Sequence, residues 1–207
     1  AGGVGTALAI YLLSLKGGVT GGYRLVLIGL GVGALLGSYN SLLMVRGQVE
    51  QAVSANIWIA GSLDGRQWTQ VLPVLIGTII VVPITILLAR RATLVEMGDD
   101  IASQLGVRAE PTRRWLIFCG VALAALATAA VGPIAFIALS APQIARRLSQ
   151  ARGLSIVPAA LMGSCLLLGA DVVSQAIPTA TTLPIGQVTG LIGGIYLAWL
   201  LTRSKQL

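Results

Sequence analysis

The chain has 207 residues, 56% of them hydrophobic and 10% charged, with a mean hydropathy of +0.88 and a formal charge of +7. So little charge over so much apolar sequence excludes a water-soluble domain of this size and points to a polytopic membrane protein. The absence of histidine excludes Ser–His and Cys–His nucleophile pairs and the usual zinc sites, and Cys119 and Cys165 both lie inside apolar runs, which supports neither a disulfide framework nor a metal site.

Residues 1–15 are apolar, closed by Lys16-Gly17-Gly18, and too short for a whole span, which needs about 20 residues. They read as the tail of a helix that starts upstream, in an excised piece of a longer chain. Residues 25–45 are 21 uncharged residues, a full span with Gly29, Gly33 and Gly37 at every fourth place, a spacing that lets a neighbouring helix approach closely. Residues 46–70 are a polar connection that includes Asp64 and Arg66, with Trp58 and Trp68 suited to the membrane interface.

Residues 71–89 form the next span, bent by Pro73 and Pro83 and ended by Arg90-Arg91. Residues 93–107 are the most polar part of the chain and read as two short helices hinged at Gly98. Thr93 and Glu96 have the spacing of a capping box for the first. Asp99 is the expected N-cap of the second, Asp100 adds charge at its positive end, and Gly106 stops it. Ile101, Ala102 and Leu105 share a face, giving a small apolar knob with acidic flanks. Helices shorter than about 12–15 residues are marginal alone, so a docking partner is expected. A solvated loop is the competing reading.

Residues 115–145 run for 31 residues without a charge, which at about 1.5 Å per residue is too long for one span and too short for two full ones. Gly132-Pro133 is the expected break, leaving a helix over 115–131 and a shorter one over 134–148 that carries Pro142. Residues 154–177 form another span, with Asp171 inside it. Residues 178–184 read as a loop, and 185–202 as the last span, with Gly186, Gly190 and Gly194 again at every fourth place. The outcome is an all-α transmembrane bundle of about seven segments in a single domain, residues 1–207.

Each crossing reverses side, so the basic residues can be counted by side. Lys16, Arg24, Arg90, Arg91, Arg108, Arg113, Arg114, Arg146, Arg147, Arg152, Arg203 and Lys205 fall on one, and only Arg46 and Arg66 on the other. Twelve against two assigns the first side, with the C-terminus and residues 93–107, to the cytoplasm. Basic residues at the ends of apolar runs, with almost no interleaved aromatics, set topology and offer no stripe for nucleic acid.

Residues 93–107, the run from Gly132 to Arg147, and Leu183-Pro184-Ile185-Gly186, in that order, resemble permease subunits of the bacterial iron–siderophore and vitamin B12 ABC importers, most of all the ferric-enterobactin type. The resemblance covers essentially the whole chain. It implies about ten spans in a full subunit, of which about three precede this piece. It also implies a like or unlike second permease subunit, two cytoplasmic ATPase subunits, an extracytoplasmic binding protein and residence in the bacterial cytoplasmic membrane. ATPase coupling maps onto Glu96, Gly98, Asp99, Asp100, Ala102, Leu105 and Gly106.

Other residues carry less. Asp171 is the only acid within a span, which costs about 2.5–3.5 kcal/mol unless it is partnered. It is either part of a gate or a packing acid satisfied by Ser174 or Gln175. Asn40, Ser41, Gly132, Pro133, Pro142, Pro184, Gly186 and Gln187 are candidates for a gate or pathway, and Asp64 and Arg66 for docking of the binding protein. Helix packing and plain solvation are the respective competing readings. Neither Lys16 nor Lys205 sits in a P-loop, so no ATP hydrolysis, metal or cofactor is expected on this chain. An ion-coupled secondary transporter using Asp171 is the alternative function, motivated also by the short helix after Gly132-Pro133. A purely structural membrane subunit comes third.

Overall fold

A computed structural model describes residues 2–16, 19–20, 22–63, 65–150, 155–176 and 184–204. The described residues form an all-α bundle of α1 (Gly2–Ser14), α2 (Gly22–Arg46), α3 (Val49–Ala60), α4 (Trp68–Glu96), α5 (Asp99–Gln104), α6 (Ala109–Val131), α7 (Ile137–Ser149), α8 (Ile156–Ala176) and α9 (Ile185–Ser204). A two-residue antiparallel ladder, Leu15–Lys16 with Val19–Thr20, joins α1 to α2. Among the described residues four helices are long and apolar enough to cross a bilayer: Val26–Arg46 within α2, α4, α6 and α8. The seven expected apolar segments correspond to α1, α2, α4, α6, α7, α8 and α9.

The polar connection of residues 46–70 is not all loop. Val49–Ala60 is a helix, entered through Gln48 and closed at Gly61, with Glu50 in its first turn where the helix dipole favours an acid. Its Glu50, Gln51 and Asn56 lower the local apolarity enough to hide a helical segment that is too short to span.

Two antiparallel pairs, α4 with α6 and α7 with α8, make the body of the bundle. Small residues let the helices meet, as they must where lipid supplies no hydrophobic drive. Leu126 of α6 occupies the space over Gly77 of α4, and Ile137 and Ala141 of α7 lie over Gly163 of α8. α7 is amphipathic, with Ser140, Ala141 and Ala145 buried and Arg146 and Arg147 in its last turn. At that end Arg147 stacks over Trp199 of α9, 5.5 Å from the ring centroid.

Pro73 and Pro83 stand inside a continuous α4, so neither ends it. Gly29, Gly33 and Gly37 of α2 have nothing within 4 Å of a built β-carbon, so the close approach their spacing allows is not made by any described helix of this chain. In α9 the expected four-residue stripe divides: Gly186 and Gly193 are packed, against Ala60 and Phe136, while Gly190 and Gly194 face open space.

Candidate functional site: an exposed elbow and a glycine junction

The break at Gly132-Pro133 is where the sequence places it. α6 ends at Val131, Gly132 takes φ 82°, and α7 begins at Ile137 after Phe136, itself left-handed at φ 66°. The reason for a glycine is space as well as torsion. A β-carbon on Gly132 would run into the carbonyl oxygen of Trp58, and one on Gly186 into that of Ala60. A β-carbon on Gly61 would lie 2.9 Å from the Pro133 carbonyl. The amide of Ser62 donates to Val131 O at 2.9 Å. The C-terminus of α3, the α6–α7 loop and the first turn of α9 therefore meet backbone to backbone. Gly132, Pro133 and Gly186 are brought together at this junction, and Pro184 opens α9 beside it by accepting from the amides of Gln187 and Val188 at 3.0 and 3.4 Å.

The other pathway candidates are not part of it. Asn40 and Ser41 lie exposed on α2, Ser41 donating to Gly37 O at 3.1 Å. Gln187 is exposed and Pro142 is enclosed in α7. Asp171 accepts a 2.9 Å hydrogen bond from Gln175, one of the two candidate partners, one turn on. Arg66 is held locally, donating to Ser62 O at 3.1 Å and to Gln70 at 3.5 Å. Asp64 and most of the 178–184 loop lie outside the described residues.

At the opposite end of α4 the elbow differs from its expected form in three ways. Residues 93–96 are the last turn of α4, not a separate helix. The Thr93 hydroxyl donates back to Ala89 O at 3.0 Å, so there is no capping box. The N-cap of α5 is Gly98, at φ 117° and ψ 149°, and Asp99 is its first helical residue with no side-chain cap bond. The knob is divided. Ala102 is fully buried, while Ile101 and Leu105 are 44% and 58% exposed, joined by Met97 at 61%.

The hinge at Gly98 and the stop at Gly106, φ 77°, are as read. Leaving the elbow, the Val107 amide donates to Ala102 O at 2.8 Å and the Thr112 hydroxyl to Arg108 O at 2.9 Å, which starts α6. Glu96 and Asp100 are exposed acids. Asp99 is engaged: Arg113 of α6 donates to its two carboxylate oxygens at 2.8 and 3.2 Å. Fourteen residues separate the pair, so no local pattern announces it. Met97 and Arg113 are the elbow residues that sequence reasoning did not single out.

Among the described residues no group of three or more His, Cys, Asp or Glu side chains is placed to hold a metal ion. The hollows among the described residues include an apolar groove of about 530 Å³ between α1 and α6 and one of about 250 Å³ among α7, α8 and α9. What the elbow offers is mechanical, a short helix whose outer surface carries Met97, Ile101 and Leu105 beside Glu96 and Asp100.

Multi-pass architecture, an exposed elbow between two long helices and a short helix after a Gly-Pro break together make an α-helical membrane fold. The chain belongs to the FecCD transport family, whose profile matches residues 1–203. It is 42% identical to the ferric enterobactin transport system permease protein FepG of Escherichia coli strain K12, over 99% of this chain and 62% of that protein. It is 36% identical to the iron(3+)-hydroxamate import system permease protein FhuG of Bacillus subtilis strain 168, over 99% of this chain and 61% of that one. Among solved structures it superposes, with a TM-score of 0.87 and 27% identity, on a transporter assigned to the metal-chelate type of ABC transporter in an inward-facing conformation, covering 97% of this chain and 64% of that one. The chain thus spans about three fifths of the length of the curated relatives it matches.

Proposed function

We propose that the chain is part of the transmembrane permease subunit of an ATP-driven importer that carries a ferric siderophore or a related metal chelate across the bacterial cytoplasmic membrane by alternating access. The observation that carries this reading is the unbroken similarity to FepG over 99% of the chain. The elbow around α5 is the docking site for a cytoplasmic ATPase. Met97, Ile101 and Leu105 are exposed around it, and it sits at the end where the basic residues collect.

The proposed assembly has a second permease subunit, two ATPase subunits and an extracytoplasmic binding protein, and the C-terminus of this chain is cytoplasmic. The chain itself does no ATP chemistry. Its part is to rock between states as α5 is moved. The glycine junction of α3, α6 and α9 lies at the extracytoplasmic end and holds three elements in register while the elbow end moves.

Affinity purification of the full-length protein, with identification of the subunits that accompany it, tests the reading, together with ATP-dependent chelate uptake into proteoliposomes. Retention of an ATPase and uptake that stops without ATP are expected. Uptake that continues without ATP and follows a proton or sodium gradient overturns it.

A further inference from the structure

α5 has six residues and cannot stand alone, so its attachments decide which neighbour it moves with. Toward α4 it is joined through Gly98, at a φ of 117°. A β-carbon there would meet nothing within 4 Å, so the glycine is required by its torsion and not by packing. Few other residue types reach that torsion, and glycine also leaves it soft.

Toward α6 the attachment is of another kind. Arg113, in the second turn of α6, holds both carboxylate oxygens of Asp99, at 2.8 and 3.2 Å, in the paired geometry that fixes direction as well as distance. The Val107 amide closes on Ala102 O at 2.8 Å, and Ala102 itself is fully buried. The pair is half exposed, 38% for Arg113 and 54% for Asp99, and exposed ion pairs contribute little to folding stability. Its consequence is geometric: α5 is hinged to α4 and clamped to α6.

We propose that Arg113 is the positioning residue of the elbow, making α5 and the first turns of α6 one rigid piece, so that a displacement imposed on α5 is delivered to α6 through the ion pair and reaches α4 through the α4–α6 packing, with Gly98 taking up the change of angle between α5 and α4. This rests on the reading of α5 as the ATPase docking site. It also divides the acids of the elbow by task. Asp99 is committed to Arg113, which leaves Asp100 and Glu96 to face the partner.

The test uses the full-length importer, reconstituted with its ATPase and binding protein, in three variants: Arg113→Gln, Asp99→Asn, and the exchange Asp99→Arg with Arg113→Asp. Substrate carried per ATP hydrolysed is read together with ATPase retained on the permease and hydrogen exchange of the amides of residues 99–106. Both single variants are expected to keep the ATPase bound, to lower the transport-to-hydrolysis ratio at least fivefold and to raise α5 exchange at least twofold. The exchange variant recovers at least half of the ratio. Single variants with the wild-type ratio and exchange overturn the proposal. So does loss of coupling in Asp99→Asn alone with Arg113→Gln normal, since Asp99 would then act on the partner directly. A wild-type permease that retains no ATPase overturns the functional reading instead, and the hydrogen exchange of Arg113→Gln still decides whether the clamp exists.

Discussion

The carbonyl oxygen of Trp58 occupies the place where a β-carbon on Gly132 would have to go. Gly132 also has φ 82° and ψ 177°, a region essentially confined to glycine, where an L-residue costs about 1–3 kcal/mol before any contact is counted. Gly132→Ala combines that cost with overpacking against main chain that cannot turn aside, so a loss of about 2 kcal/mol or more is expected. Thermal unfolding of the purified protein in detergent, followed by loss of soluble monomer, checks it. Gly47→Ala is the control: its β-carbon would meet Leu43 O at 3.4 Å, an ordinary contact, and its melting temperature should match the wild type.

The apolar side chains of the elbow predict the opposite pattern. Ile101 and Leu105 are exposed, so Ile101→Asp and Leu105→Asp remove little packing and leave the melting temperature of the isolated permease unchanged. If α5 enters a groove on an ATPase, burying a carboxylate there weakens the complex at least tenfold, about 1.4 kcal/mol. Ala102→Leu reverses the order of effects. Ala102 is fully buried, so overpacking lowers the melting temperature first and docking follows from the displaced helix. Pull-down and melting curves on the same three variants separate the two.

These contrasts also mark what was legible in the sequence. The split at Gly132-Pro133 was legible because an uncharged run of 31 residues is too long for one span, and a Gly-Pro pair inside it is the natural place for a helix to stop. Gly98 and Gly106 were legible because each marks a left-handed or otherwise special torsion. The capping-box spacing of Thr93 and Glu96 misled, since the pattern states only what the side chains can do. When α4 continues from Ala92, the same threonine hydroxyl bonds Ala89 O instead. α3 was hidden because periodicity and apolarity favour helices that span, and Glu50 and Asn56 break the apolar run. Gly29, Gly33 and Gly37 show a limit of a different kind: their spacing announces close approach but not the partner, and no described helix fills that face.

Asp171 separates the two transport mechanisms. It accepts a hydrogen bond from the Gln175 amide at 2.9 Å. Asparagine in its place keeps a side-chain oxygen to accept that bond and removes only the ionisable group. Asp171→Asn is therefore expected to retain more than half of ATP-driven uptake in proteoliposomes, with no new sensitivity to an uncoupler. An ion-coupled carrier relying on this carboxylate would instead lose gradient-driven uptake altogether.

Tyr196 of α9 presents a phenolic oxygen that is buried without a hydrogen-bond partner among the described residues. It lies beside the 250 Å³ hollow shared with Ser140 of α7 and Thr189 of α9, but both of those hydroxyls are spent on main chain, on Phe136 O at 2.9 Å and on Gly186 O at 3.1 Å. A buried hydroxyl that makes no bond contributes only its desolvation cost, whereas one that is bonded contributes about 0.5–1.5 kcal/mol when kept. Tyr196→Phe should thus leave the melting temperature unchanged or raise it. Ser140→Ala should lower it, since Ser140 is buried and its bond ties α7 to the left-handed Phe136 that begins it. Comparing the two variants in one detergent checks the difference in sign. A Tyr196→Phe protein that melts lower than Ser140→Ala would mean that the phenol is bonded in the native protein.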